Sequence, residues 1–112
     1  LAIVLAFAAF LTGGAAAAEE PPVSVAMVGR AYQPGQLTVG LGQTVVWQNQ
    51  SLTHHTVTSV AGLFDSGSIA PGAAYSMTFS HAGTFDYTCT IHPTMKGSIV
   101  VLDLAPGTLE LR

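Results

Sequence analysis

Alternation of apolar and polar side chains, with no helical period, organises most of the chain. Val23–Val28 alternates, Leu37-Thr38-Val39 follows a Pro34-Gly35 turn, and Thr44–Gln48 carries Val45, Val46 and Trp47. Further extended segments are predicted over Thr56–Val60, Ala73–Phe79, Thr84–Cys89 and Ser98–Leu102. Gly40, Gly42, Gly62, Gly67, Pro71-Gly72, Gly83 and Gly97 punctuate them. Short strands separated by Gly and Pro predict an all-β sandwich or barrel.

Strand parity assigns faces. Phe85, Tyr87 and Cys89 fall on one face and Thr84, Asp86 and Thr88 on the other, so Cys89 extends an apolar, inward stripe. Tyr75, Met77 and Phe79 form a similar stripe. His55 shares parity with Val57 and is expected to point inward at a strand start.

Before the first strand the pattern changes. Residues 1–18, LAIVLAFAAFLTGGAAAA, hold an apolar run over Leu1–Leu11, about half of the ~20 residues a bilayer-spanning helix needs. Ala16-Ala17-Ala18 then offers an A-x-A type cleavage site, followed by Glu19-Glu20-Pro21-Pro22. The segment reads as a secretory leader truncated at its start, the alternative being an uncleaved anchor. The expected organisation is a leader over 1–18, one domain over 19–103 and a tail over 104–112.

Composition sharpens this picture. The 112 residues are 49% hydrophobic and 8% charged, and residues 1–18 inflate the first figure. The net charge of −3 provides no basic surface for a phosphate backbone, so nucleic acid is not an expected partner. A single cysteine excludes an internal disulfide and a four-cysteine zinc site.

That cysteine stands in Cys89-Thr90-Ile91-His92-Pro93-Thr94-Met95, a C-x-x-H-x-x-M spacing, with His54-His55 upstream. One thiolate, two imidazoles and a thioether are the donors of a blue-copper centre. Soft sulfur donors favour Cu(I), imidazoles suit both oxidation states, and a trigonal His₂Cys set changes little between them. Zinc is the competing metal; it accepts Cys and two His but has no use for Met95. No Ser-His-Asp grouping or Gly-rich phosphate loop is visible, so an enzyme is not expected.

Ala74-Tyr75-Ser76, Gly83-Thr84-Phe85-Asp86-Tyr87, the CTIHPTM loop and Lys96-Gly97 resemble the cupredoxins, the plastocyanin/amicyanin group in particular. The resemblance runs over about Val23–Leu102, and the two-residue gap between His92 and Met95 is amicyanin-like. It implies an eight-stranded Greek-key sandwich with one copper ion near one end, held by His55, Cys89, His92 and Met95. It selects His55 over His54, because the ligand directly precedes a polar residue and Val. His54 and His81 are read as surface residues. The resemblance also implies that Asn49 ties the two ligand loops together. Backbone N–H groups near Cys89 and Thr56 are expected to donate to the thiolate.

Two departures stand out. Ile91 replaces a usual Pro and Thr94 a usual aromatic. The first frees a backbone N–H and is expected to loosen the loop, shifting the reduction potential and the release of His92 from Cu(I) in acid. The expected role is a monomeric electron carrier, periplasmic or otherwise extracytoplasmic, with redox proteins docking transiently near His92. No stable membrane insertion is expected after leader cleavage. Copper delivery or storage is the alternative, as is a cupredoxin portion of a larger protein.

Overall fold

Burial with period two brings the inner faces of two sheets together. Val25 and Met27 are fully buried on the first strand, Val45 and Trp47 on the fourth, and Ile99 and Val101 face them from the last. The computed structural model describes residues 20–104. The leader expected over 1–18 and the tail beyond residue 104 lie outside the described residues.

Eight strands and no helix occur among those residues: β1 (Val23–Val28), β2 (Ala31–Gln33), β3 (Gln36–Gly40), β4 (Thr44–Asn49), β5 (Thr58–Ser59), β6 (Ala74–Thr78), β7 (Gly83–Thr88) and β8 (Lys96–Leu102). One sheet has the order β2-β1-β4-β6, the other β3-β8-β7-β5. Consecutive strands repeatedly change sheet, as the predicted Greek-key sandwich requires. Each sheet contains one parallel pair, β1 with β4 and β3 with β8, among antiparallel neighbours.

Two predicted elements differ. β2 was not anticipated. It pairs with β1 across a two-residue loop, Gly29-Arg30, in which Gly29 has φ of 59°. A glycine first in such a loop, with only that residue left-handed, fits a type II′ hairpin. The segment predicted as a strand over Thr56–Val60 shrinks to Thr58–Ser59 in β5. Its first residue uses its backbone elsewhere: the Thr56 N–H donates to the Cys89 sulfur and its carbonyl accepts from the Tyr32 hydroxyl. A ladder cannot form where both groups are already bonded.

Aromatic rings bind the sheets to each other. Tyr87 of β7 meets Trp47 edge-on, with centroids 5.5 Å apart at 86°, and Tyr32 at 4.6 Å and 71°. Such edge-to-face pairs add roughly 0.5–1.5 kcal/mol each beyond area burial. The Trp47 N–H and the Tyr87 hydroxyl are buried but fall short of hydrogen-bond geometry with any partner. Tyr87 also covers its cross-strand partner Gly97, whose missing side chain leaves room for the ring. Cys89 follows two residues later on the same stripe, at the end of the sandwich.

Candidate metal centre

β7 delivers Cys89 and β8 begins at Lys96, so residues 90–95 form the turn between two paired strands. The turn is closed by its own backbone. Met95 N–H donates to the His92 carbonyl at 2.8 Å, and Cys89 N–H donates to the Met95 carbonyl at 3.1 Å. The Thr88 hydroxyl lies 3.0 Å from that same Met95 oxygen. Cys89 and Met95 are buried by this closure, His92 is half-buried, and Ile91, Pro93 and Thr94 are exposed.

His55 arrives from the other side, on the segment between β4 and β5. Its backbone exchanges two hydrogen bonds with Ile69, at 3.2 and 2.7 Å, which fixes the ring inward. His55 is 0% exposed, whereas its neighbour His54 is exposed. His81 is exposed as well.

Three donor atoms converge. His55 Nδ1 and His92 Nδ1 are 3.2 Å apart, and the Cys89 sulfur is 3.8 Å from the first and 3.7 Å from the second. The circle through these atoms has a radius of about 2.1 Å, close to the length of a bond between imidazole nitrogen and a first-row divalent metal. One soft sulfur and two nitrogens at this spacing fit a copper or zinc ion. Donor lone pairs converging at this spacing suit a bound cation.

Hydrogen bonds around the donors fix their directions. Thr56 N–H donates to the Cys89 sulfur at 3.3 Å. The Thr56 hydroxyl accepts from the Thr90 N–H at 2.9 Å and approaches the Thr90 hydroxyl at 3.3 Å. Thr56 therefore joins the His55 segment to the Cys89 turn. The sequence reading placed that tie at Asn49. The buried Asn49 amide instead donates to the Thr53 and Ile69 carbonyls, at 2.8 and 2.9 Å. Its oxygen accepts from the Ser51 N–H and hydroxyl, at 3.0 and 2.7 Å. None of these bonds reaches the Cys89 turn; Asn49 organises the loop that carries His55.

Two residues escaped sequence reasoning. Ser51 places its hydroxyl 2.8 Å from His55 Nε2, and Tyr32 anchors the Thr56 carbonyl. The Asn49-Gln50-Ser51 run is a local side-chain-to-backbone turn signal, readable in principle. Tyr32 left no comparable sign, because its contact spans the fold.

Burial pushes the His55 imidazole below its ordinary value of 6.5, and His92 beside it pushes the same way. Arg30 and His54 add smaller repulsions, and the Gly29 carbonyl opposes them. The folded state thus binds a proton at His55 less readily than the unfolded chain. The associated stability is complete above about pH 6.5 and is lost as the pH falls through the lower folded value. Chelator-treated protein is therefore expected to unfold at lower denaturant at pH 5 than at pH 7.5. His55→Gln is expected to flatten that dependence, and denaturant curves at both pH values check it. An equal slope in the variant would assign the effect to another group.

An open groove of about 770 Å³ lies along β7 and β8, lined by residues such as Gln36, Asp86, Thr88 and Lys96. None of the three clustered donors lines it.

The Cupredoxin-like domain family matches residues 1–101. Amicyanin of Paracoccus denitrificans is 41% identical over 75 residues, covering 62% of this chain and 57% of its own length. Amicyanin-alpha of Methylorubrum extorquens is 31% identical over 109 residues, 90% of this chain and 92% of its own length. Among solved structures, the Cu(I) form of an amicyanin variant superposes with a TM-score of 0.70 at 36% identity, over 74% of this chain and 84% of that one.

Proposed function

Because this chain belongs to the cupredoxin-like family, among its amicyanin-like members, we propose that it is a type 1 copper protein carrying single electrons between redox proteins outside the cytoplasm. The observation that carries the reading is the triangle of His55 Nδ1, His92 Nδ1 and Cys89 Sγ. Bound copper supplies a one-electron couple. The protein contributes a fixed frame: two strands grip the Cys89 turn, the Ile69 pairing grips His55, and Thr56 locks the two together. A frame that does not move between oxidation states keeps reorganisation small. Met95, buried on the same turn as Cys89 and His92, completes the donor set as its thioether ligand. The Thr56 N–H, donating to the sulfur, stabilises negative charge there and raises the potential.

His92 serves as the electron port. It is the half-buried member of the set, and exposed Ile91, Pro93 and Thr94 surround it in sequence. Leu52, on the loop leading to His55, is 94% exposed. With a net charge of −3 and few charged groups, long-range steering is weak. Docking of redox partners is therefore short-lived and mainly apolar, and the carrier acts as a monomer. The segment over 1–18 directs export and is removed, leaving the copper domain over 19–103 and a short tail over 104–112. No helix among the described residues is long and apolar enough to cross a membrane.

Copper titration followed by visible and EPR spectra tests the reading. One equivalent is expected to produce an intense thiolate-to-copper band and a reversible one-electron couple. Stoichiometric binding without either would mark a storage or delivery protein and overturn the carrier reading.

A further inference from the structure

Metal binding through His55 Nδ1 requires its proton to sit on Nε2, and the surrounding bonds decide whether it does. Their directions can be traced from the backbone inward. The Asn49 side chain faces two carbonyls, of Thr53 and Ile69, and one N–H, of Ser51. Only one amide orientation satisfies all three, with Nδ2 toward the carbonyls and Oδ1 toward Ser51. Oδ1 then lies 2.7 Å from the Ser51 hydroxyl oxygen. Neither an amide oxygen nor a carbonyl can donate, so the 2.7 Å contact with Asn49 Oδ1 takes the Ser51 proton, while Ser51 Oγ accepts from the Thr53 N–H at 3.3 Å. The remaining Ser51 lone pair faces His55 Nε2 at 2.8 Å.

The opposite arrangement fails. With the imidazole proton on Nδ1, either two lone pairs would face each other at 2.8 Å, or the Ser51 proton would turn to Nε2 and leave Oγ and Asn49 Oδ1 facing as two acceptors at 2.7 Å. The Thr53 hydroxyl, 3.3 Å from Nε2, is a longer and weaker partner than Ser51 at 2.8 Å and leaves that contact in place. Leaving a buried polar atom unsatisfied costs the full desolvation of that group.

We propose that Asn49 and Ser51 form a one-way hydrogen-bond relay that holds His55 in its Nε2–H tautomer before any metal arrives, so that Nδ1 is presented as a ready lone pair. Ser51 is thus a positioning residue, acting through His55. The relay rests on the copper reading only in what the freed nitrogen is for; the proton's place is a property of the metal-free protein.

The test uses ¹⁵N-labelled, chelator-treated protein at pH 8, with long-range proton–nitrogen spectra of the imidazoles. The wild type is expected to show His55 protonated on Nε2, with a proton that exchanges slowly with water. Ser51→Ala is expected to speed that exchange at least about tenfold, and to lower Cu(I) affinity in chelator competition by about 10- to 100-fold, as loss of an outer partner does. Ser51→Thr, which keeps the hydroxyl, is expected to restore both. A wild-type proton on Nδ1 would overturn the relay without reference to any variant. So would Ser51→Ala with unchanged exchange and affinity. Absence of a blue band in copper-loaded wild type would instead sink the carrier reading and leave the tautomer measurement standing.

Discussion

Cys89→Ser is expected to abolish the intense visible band of the copper-loaded protein while leaving the metal-free fold within about 1 kcal/mol of wild type. The two halves of this expectation have separate causes. The band arises from charge moving between thiolate sulfur and copper, and Cys89 is the chain's only cysteine. A serine hydroxyl stays protonated at neutral pH and is a hard donor, poorly matched to Cu(I). Copper affinity should therefore fall further than the roughly 100-fold at the upper end for losing an outer-shell partner. The metal-free protein faces a milder change. The new oxygen accepts the Thr56 N–H as the sulfur does, and its own proton has two imidazole nitrogens nearby. Visible spectra and thermal melts with and without chelator separate the effects. A surviving band would show that the thiolate is not its source. A metal-free melt lowered by much more than about 8 °C would make Cys89 a packing residue first.

Gly97→Ala should do the opposite, damaging the fold before it damages the site. A Cβ on Gly97 would stand 2.5 Å from both Cζ and the hydroxyl oxygen of Tyr87, and 2.8 Å from Cε2. The ring has little room to retreat, since Trp47 and Tyr32 hold it edge-on. Nor can residue 97 withdraw easily, because it is paired in register between β7 and β8. Overpacking of this kind costs about 1–3 kcal/mol or somewhat more. In a domain this size that lowers the melting temperature by roughly 4–24 °C. Tyr87→Leu in the same chain removes the clashing ring, so the double variant should lose less than the two single changes summed. Strict additivity would mean that the ring and the new methyl do not meet.

Contiguity decided what could be read from the chain. Cys89, His92 and Met95 lie within seven residues, and their chemistry is visible without any fold. His55 lies far from them in sequence, yet parity with Val57 was enough to turn it inward. The inward stripes of β6 and β7 followed from the same alternation: Tyr87 and, just past β6, Phe79 are buried, and Tyr75, Met77 and Phe85 are partly buried against the core. What stayed hidden depends on contacts across the sandwich. Tyr32 sits in a three-residue strand too short to show a period, defined only by its pairing with β1. The shortening of the Thr56–Val60 strand reflects a backbone committed to Cys89 and Tyr32, neither of them a neighbour in sequence. The loop tie was assigned to Asn49 by resemblance, yet its bonds stay within its own loop and at Ile69, and Thr56 makes the crossing.

The parallel pairing of β3 with β8 bears on when the protein can take up metal. β8 is the last strand among the described residues, and the turn bearing Cys89, His92 and Met95 is clamped where β8 pairs with β7, while β8 in turn pairs with β3. Until β8 is docked, the Cys89 turn is not clamped between paired strands. Assembly of the donor triangle is thus tied to the docking of β8. A chain still emerging, or held unfolded for transport, presents scattered donors and no pocket. Metal loading belongs after the fold is complete, in whichever compartment that happens.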